Sequence, residues 1–179
     1  MIPNIITTCR LLLVPIFAYM MACDNYFAAA IIFIISGVSD VIDGYIARHF
    51  NMITRFGMIY DPFVDKLMQI TAIVCLVIKD IIPPWLLIFV LLKEVSMILV
   101  GGILYIKKIE IKSNKYGKAA TVIFYAGVLL LITWKSMPSV VFSLVISLMI
   151  LAMLVAAIYY ATDIIKHYDE KRVTENKKE

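Results

Sequence analysis

The sequence predicts an all-α protein, an integral membrane bundle of about six transmembrane helices. Three observations carry that expectation. Of 179 residues, 63% are hydrophobic and the mean hydropathy is +0.93, whereas soluble domains average about 45–50% apolar residues. The apolar residues gather into about six runs, each near the ~20 residues that a helix needs to cross a bilayer. The basic residues crowd alternate connections between those runs, as they do in multi-pass membrane proteins.

The first run, Ile5–Met21, opens directly after Met-Ile-Pro-Asn without a basic leader, so it reads as a retained span and not as a cleaved signal. Cys23-Asp24-Asn25 breaks it from Phe27–Arg48. The segment from His49 to Phe56 separates the second run from Gly57–Ile78, and Lys79 to Pro83 ends the third. Pro84–Ile106, Gly117–Trp134 and Val140–Tyr160 complete the set, divided by Lys107 to Tyr116 and by Lys135 to Pro138. Residues 1–168 form one transmembrane domain, and 169–179 are a charged tail expected to fray.

Arg48, Arg55, Lys107, Lys108, Lys112, Lys115 and Lys118 flank the second and fourth connections, and five more basic residues follow the last run. The other connections hold only Lys79 and Lys135. The positive-inside rule then puts both termini and the even-numbered connections in the cytoplasm. Topology accounts for this positive charge, and nothing points to nucleic acid as a partner. Cys9, Cys23 and Cys75 are widely spaced and imply no disulfide or zinc site; they are expected to be small buried hydrophobes. Tyr159, Tyr160 and Tyr168 suit an interfacial aromatic belt.

Against this background, Asp40, Asp43, Asp61 and Asp65 stand out. An ionised Asp costs about 2.5–3.5 kcal/mol at the centre of a spanning helix. Asp40, Asp43, Gly44 and Ala47 share one helical face, and Gly57, Asp61 and Asp65 share another. Asp40 and Asp65 each lie eight residues from the second connection, roughly 12 Å deep at helical rise. Two neighbouring helices would therefore bring four carboxylates to matched depth in the cytoplasmic half, where divalent cations are the natural occupant. Gly44, Ala47 and Gly57 would let a ligand approach the backbone closely.

The string Asp40-x-x-Asp43-Gly44-x-x-Ala47-Arg48, eight residues, then Gly57-x-x-x-Asp61-x-x-x-Asp65 resembles the signature of the CDP-alcohol phosphotransferase family at every defined position. Pro3-Asn4-x-x-Thr7-x-x-Arg10, Thr54-Arg55-Phe56-Gly57, Asp61-Pro62-x-x-Asp65-Lys66 and Gly117-Lys118 resemble its bacterial phosphatidylglycerophosphate and cardiolipin synthases. Lys93-Glu94 and Gly117-Lys118-Ala119-Ala120-Thr121 depart from the pattern of the former group.

The resemblance implies transfer of a phosphatidyl group from CDP-diacylglycerol to a small alcohol acceptor, with release of CMP. It implies Asp40, Asp43, Asp61 and Asp65 as ligands of one or two Mg²⁺ or Mn²⁺ ions, with Asp65 also the general base. Asp40, Asp43, Gly44, Ala47, Arg48 and Gly57 would hold the CDP donor. If the acceptor is glycerol 3-phosphate, Lys118, Lys115, Arg55, Lys93 and Arg10 are candidates for its phosphate, although Lys93 and Glu94 also suit an intramembrane ion pair. Relatives imply a homodimer among membrane lipids. A cardiolipin synthase or another acceptor is the alternative within the family. A cation transporter is the alternative outside it, disfavoured because no matching acids occupy the outer half.

Overall fold

The computed structural model describes residues 2–49, 57–106, 115–134 and 136–176, with side chains described over 7–40, 42, 63–96, 117, 119–134 and 136–162. Among the described residues there are six helices: α1 Ile2–Ala22, α2 Tyr26–His49, α3 Gly57–Ile78, α4 Pro84–Ile106, α5 Lys115–Thr133 and α6 Ser139–Asn176. No strand occurs among the described residues. The fold is all-helical, as the apolar runs require.

The helices start where the sequence offers caps. Asn25 precedes α2, and its Oδ1 accepts the Ala28 backbone N–H at 3.2 Å, which satisfies one of the orphan donors of the first turn. Helices α1 and α3 end alike. Asp24 and Asp80 adopt left-handed backbone, with φ of 58° and 54°, and the next amide in each case reaches back five residues, Asn25 to Met20 O and Ile81 to Leu76 O. Aspartate tolerates this conformation better than most side chains do. Helix α6 extends into the charged segment as far as Asn176. Residues 164–176 contain neither Pro nor Gly, so nothing local stops a helix already nucleated by the apolar segment before them.

Packing divides the chain into two units, Met1–Leu91 with Val128–Met137, and Leu92–Gly127 with Pro138–Glu179. In the first, α1 packs against α2 and α3, and α2 also touches α3. The inward stripes have helical spacing. Thr7, Arg10, Phe17 and Met21 are buried on α1, Ala29, Phe33 and Ser36 on α2, and Val64, Met68, Ala72 and Leu76 on α3. Phe17 and Phe33 meet with ring centroids 5.7 Å apart, while Arg10 meets Asp40. These two pairings run in opposite senses, so α1 and α2 are antiparallel.

Lys79, just beyond α3, donates to Ala22 O at 3.0 Å and to Asp24 Oδ1 at 2.7 Å. Thus the C-terminal ends of α1 and α3 lie together and the two helices run parallel. In the second unit Gly127 faces buried Met149, and a Cβ at Gly127 would lie 2.7 Å from Met149 Cγ.

Cysteine placement corrects an expectation. Cys9 and Cys23 are exposed and Cys75 is half-buried, all as free thiols. Cys9 lies between Thr7 and Arg10 but off the buried stripe of α1, since successive residues turn about 100° around a helix. The outward faces are themselves apolar: Leu12, Ile16, Ile31, Ile35, Leu144 and Leu148 are all exposed. Among the described residues one stretch, Ser139–Thr162, is long and apolar enough to cross a membrane, with a hydropathy of 2.9; Thr7–Ala22, Tyr26–Asp40 and Ala119–Thr133 are shorter apolar stretches.

Candidate active site

All four aspartates stand on helical backbone, Asp40 and Asp43 on α2, Asp61 and Asp65 on α3. The helix register fixes how two of them relate. Arg10 on α1 contacts Asp40 directly, its Nη1 2.8 Å from Asp40 Oδ1. Lys79 ties the end of α3 to Ala22, and in two parallel helices a step of 13 residues back from Ile78 and from Ala22 arrives at Asp65 and Cys9. Asp40 and Asp65 are therefore at one level along α1. This is the arrangement that equal depth in the sequence demands.

Each of the two acids has a buried polar partner. The Arg10 side chain has no exposed surface, whereas that of Asp40 is 42% exposed. The pair thus joins a desolvated guanidinium to a carboxylate that still reaches an open surface. Among the described residues Arg10 is the partner of Asp40, bound through Oδ1. On α3, Gln69 is buried and donates its Nε2–H to Asp65 Oδ2 at 3.0 Å, while its Oε1 accepts from Lys66 Nζ at 3.3 Å. A buried amide in an apolar helix needs both ends satisfied, and here the donor end aims at a motif carboxylate.

Sequence reasoning passed over Gln69. The available signal was an amide four residues after Asp65 on the same helical face, in the middle of an apolar run. Arg10, a candidate for an acceptor phosphate, places its Nη1 on Asp40 Oδ1. Lys93 donates to Glu94 Oε1 at 2.6 Å, and Glu94 is buried, so the two residues do form an ion pair. Lys115 and Lys118 fall in the first turn of α5. Among the described residues nothing lies within 4 Å of the place a Cβ would occupy on Gly117 beside them. The side chains of Asp43, Ala47, Arg48, Asp61, Lys115 and Lys118, the surroundings of Gly44 and Gly57, and the whole of Arg55 lie outside the described residues.

What the described atoms offer is an all-oxygen acidic set with one carboxylate, Asp40, tied by a single oxygen and partly open. Hard divalent cations suit such donors. Among the described residues no group of three possible ligands gathers; the side chains of Asp43 and Asp61 lie outside them.

The family profile described as CDP-alcohol phosphatidyltransferase matches residues 1–159. The chain belongs to this family. A relative in Bacillus subtilis, named CDP-diacylglycerol–glycerol-3-phosphate 3-phosphatidyltransferase, is 35% identical over 54% of this chain and 58% of its own length. An Aquifex aeolicus relative of the same name is 32% identical over 67% of this chain and 68% of its own. A Streptomyces coelicolor relative, named cardiolipin synthase (CMP-forming), is 34% identical over 74% of this chain and 65% of its own. The match thus spans less than two thirds of the Bacillus and Streptomyces relatives. Family membership places the four aspartates and the small residues between them inside the matched span.

Proposed function

We propose that this protein is a multi-pass membrane phosphatidyltransferase that moves the phosphatidyl group of CDP-diacylglycerol to the hydroxyl of glycerol 3-phosphate, giving phosphatidylglycerophosphate and CMP. The observation that carries the reading is the intact eight-residue acid and glycine pattern of residues 40–65 within the matched family span, with its two deepest acids at one level and each held by a buried partner. Apolar outward faces on α1, α2 and α6 support a bilayer setting. The distribution of basic residues supports a site open to the cytoplasm, with both termini on that side.

The chemistry asks for a held diphosphate, a neutralised leaving group and an aligned hydroxyl. Asp40, Asp43 and Asp61, joined by Asp65, would hold one or two Mg²⁺ or Mn²⁺ ions. Bound there, such ions would offset charge on the diphosphate of the donor. Gly44, Ala47 and Gly57 would leave room for the nucleotide, and Arg48 would pair with a phosphate oxygen. Asp65 would accept the proton of the acceptor hydroxyl, aimed by the Gln69 amide on its Oδ2. Lys118, Lys115, Arg55 and Lys93 would supply charge for the acceptor phosphate. A bilayer suits the donor, whose acyl chains stay in lipid while its headgroup meets the acids roughly 6–12 Å below the connections. A homodimer is part of the same proposal.

A second acceptor has a specific observation behind it. The Streptomyces relative named cardiolipin synthase matches a larger share of this chain than the Bacillus relative does, and phosphatidylglycerol would then replace glycerol 3-phosphate. The test is CMP release by purified protein in mixed micelles with CDP-diacylglycerol and Mg²⁺ or Mn²⁺, each acceptor offered separately. Release with glycerol 3-phosphate alone supports the proposal. Release with phosphatidylglycerol alone replaces the acceptor, and no release from folded protein refutes the donor assignment.

A further inference from the structure

The Arg10 side chain is completely buried, yet it stands against an acid of the site whose own side chain is 42% exposed. Burying a guanidinium is costly unless an anion compensates it. A structural tie between α1 and α2 needs no charge, since Phe17 and Phe33 already join the same two helices about two turns away. The charge itself therefore asks for an explanation.

We propose that Arg10 is the resident counter-cation of the acid site: it holds Asp40 by Oδ1 and offsets part of the negative charge of the carboxylates when no divalent ion is bound. This rests on the reading that these acids bind such ions. Gathering ionised carboxylates in a low-dielectric setting is unfavourable without positive charge nearby. Arg10 supplies one permanent charge, because guanidinium does not lose its proton in proteins. By engaging one oxygen of Asp40 it also limits the rotamers of that carboxylate, whose side chain stays 42% exposed. A cation approaching the other oxygen meets the guanidinium through a single carboxylate and is repelled by it. Arg10 thus trades tight metal binding for a site that stays assembled when empty, so ions and substrate exchange without the helices parting. It acts as a positioning residue, and neither a phosphate nor the reacting atoms need touch it.

The two roles of a buried arginine predict opposite signs. A plain helix tie predicts that its removal loosens Asp40 and weakens metal binding. A counter-cation predicts that its removal tightens metal binding and harms only the metal-free protein.

The test uses the full chain in detergent, with Arg10→Gln and Arg10→Lys purified in the presence of Mn²⁺ and then stripped. Mn²⁺ affinity is read from the loss of the free-ion paramagnetic resonance signal, and stability from thermal unfolding in chelator and in Mn²⁺. Arg10→Gln should bind Mn²⁺ about tenfold or more tightly, as expected when a like charge is removed near a divalent ion. It should unfold at a lower temperature than wild type in chelator and recover in Mn²⁺, while Arg10→Lys stays within about threefold of wild-type affinity. Unchanged or weaker Mn²⁺ binding by folded Arg10→Gln overturns the assignment. So does an Arg10→Gln protein that cannot be recovered folded even with Mn²⁺, because the ion should replace the missing charge. A wild-type protein that binds no Mn²⁺ overturns the ligand set of the proposed function along with it, which separates the two failures.

Discussion

Gln69→Met is the substitution that probes the candidate base without touching it. Methionine keeps the length and fills the buried volume but removes the N–H that now reaches Asp65 Oδ2 at 3.0 Å. A hydrogen bond to an ionised partner is worth about 1.5–3 kcal/mol. If Asp65 takes a proton from the acceptor, the bond matters for aiming that carboxylate in the transition state. The loss then corresponds to about a 10- to 150-fold fall in kcat. The assay is CMP release in mixed micelles at saturating donor and acceptor, with KM for the donor and Mn²⁺ affinity measured on the same preparation. Both should stay within about threefold of wild type, because a lost aim changes the reaction step more than binding. Gln69→Glu keeps an acceptor for Lys66 Nζ but sets a second carboxylate beside Asp65, and it should lose at least as much. A folded Gln69→Met enzyme with kcat within twofold of wild type would refute the reasoning, and so would a loss confined to KM.

Asp65→Asn should abolish turnover while largely preserving binding of the CDP donor, checked by equilibrium binding beside the rate assay; residual activity near wild type would remove Asp65 as the base. Gly127→Ala should lower the unfolding temperature by a few degrees, since overpacking against buried Met149 costs about 1–3 kcal/mol and helix propensity returns about 1 kcal/mol. The same change in a Met149→Ala background should cost nothing, which a double-mutant cycle measures. The hydrogen bond from Lys79 to Asp24 holds the lysine above its ordinary value. A raised lysine stabilises the fold fully below its ordinary value, and the contribution disappears as pH climbs through the raised one. The small gap in unfolding temperature between wild type and Lys79→Met should therefore be present at about pH 7 and closed near pH 12; a gap unchanged across that range would show that the lysine acts through packing alone.

Much of the molecule was legible in the chain because its determinants are local. The cost of moving backbone and side chains into lipid depends on runs of residues, so six apolar stretches predicted six helices, and α3 and α4 begin and end where the runs do. Asparagine before α2 and aspartate after α1 and α3 mark boundaries through bonds within a single turn. The acid pattern is likewise local, since its spacing sets which residues share a face of α2 and α3. Where the sequence misled, the deciding term lay elsewhere. Cys9 looked like core and proved exposed, because inward and outward residues are equally apolar in a protein of this composition.

By itself, the sequence determined the helical class, the order and approximate extent of the helices, the level of the acids within them and the family to which the chain belongs. Only the tertiary structure decided which polar groups satisfy one another across those helices. Arg10 was one cation among several until the antiparallel register of α1 and α2 brought it to Asp40, whereas Gln69 and Asp65 share a face of α3, so their spacing allowed the bond that the structure shows. The physical reason is that periodicity selects a face, whereas a hydrogen bond requires two particular atoms within about 3 Å, and that distance is set by the packing and register of whole helices.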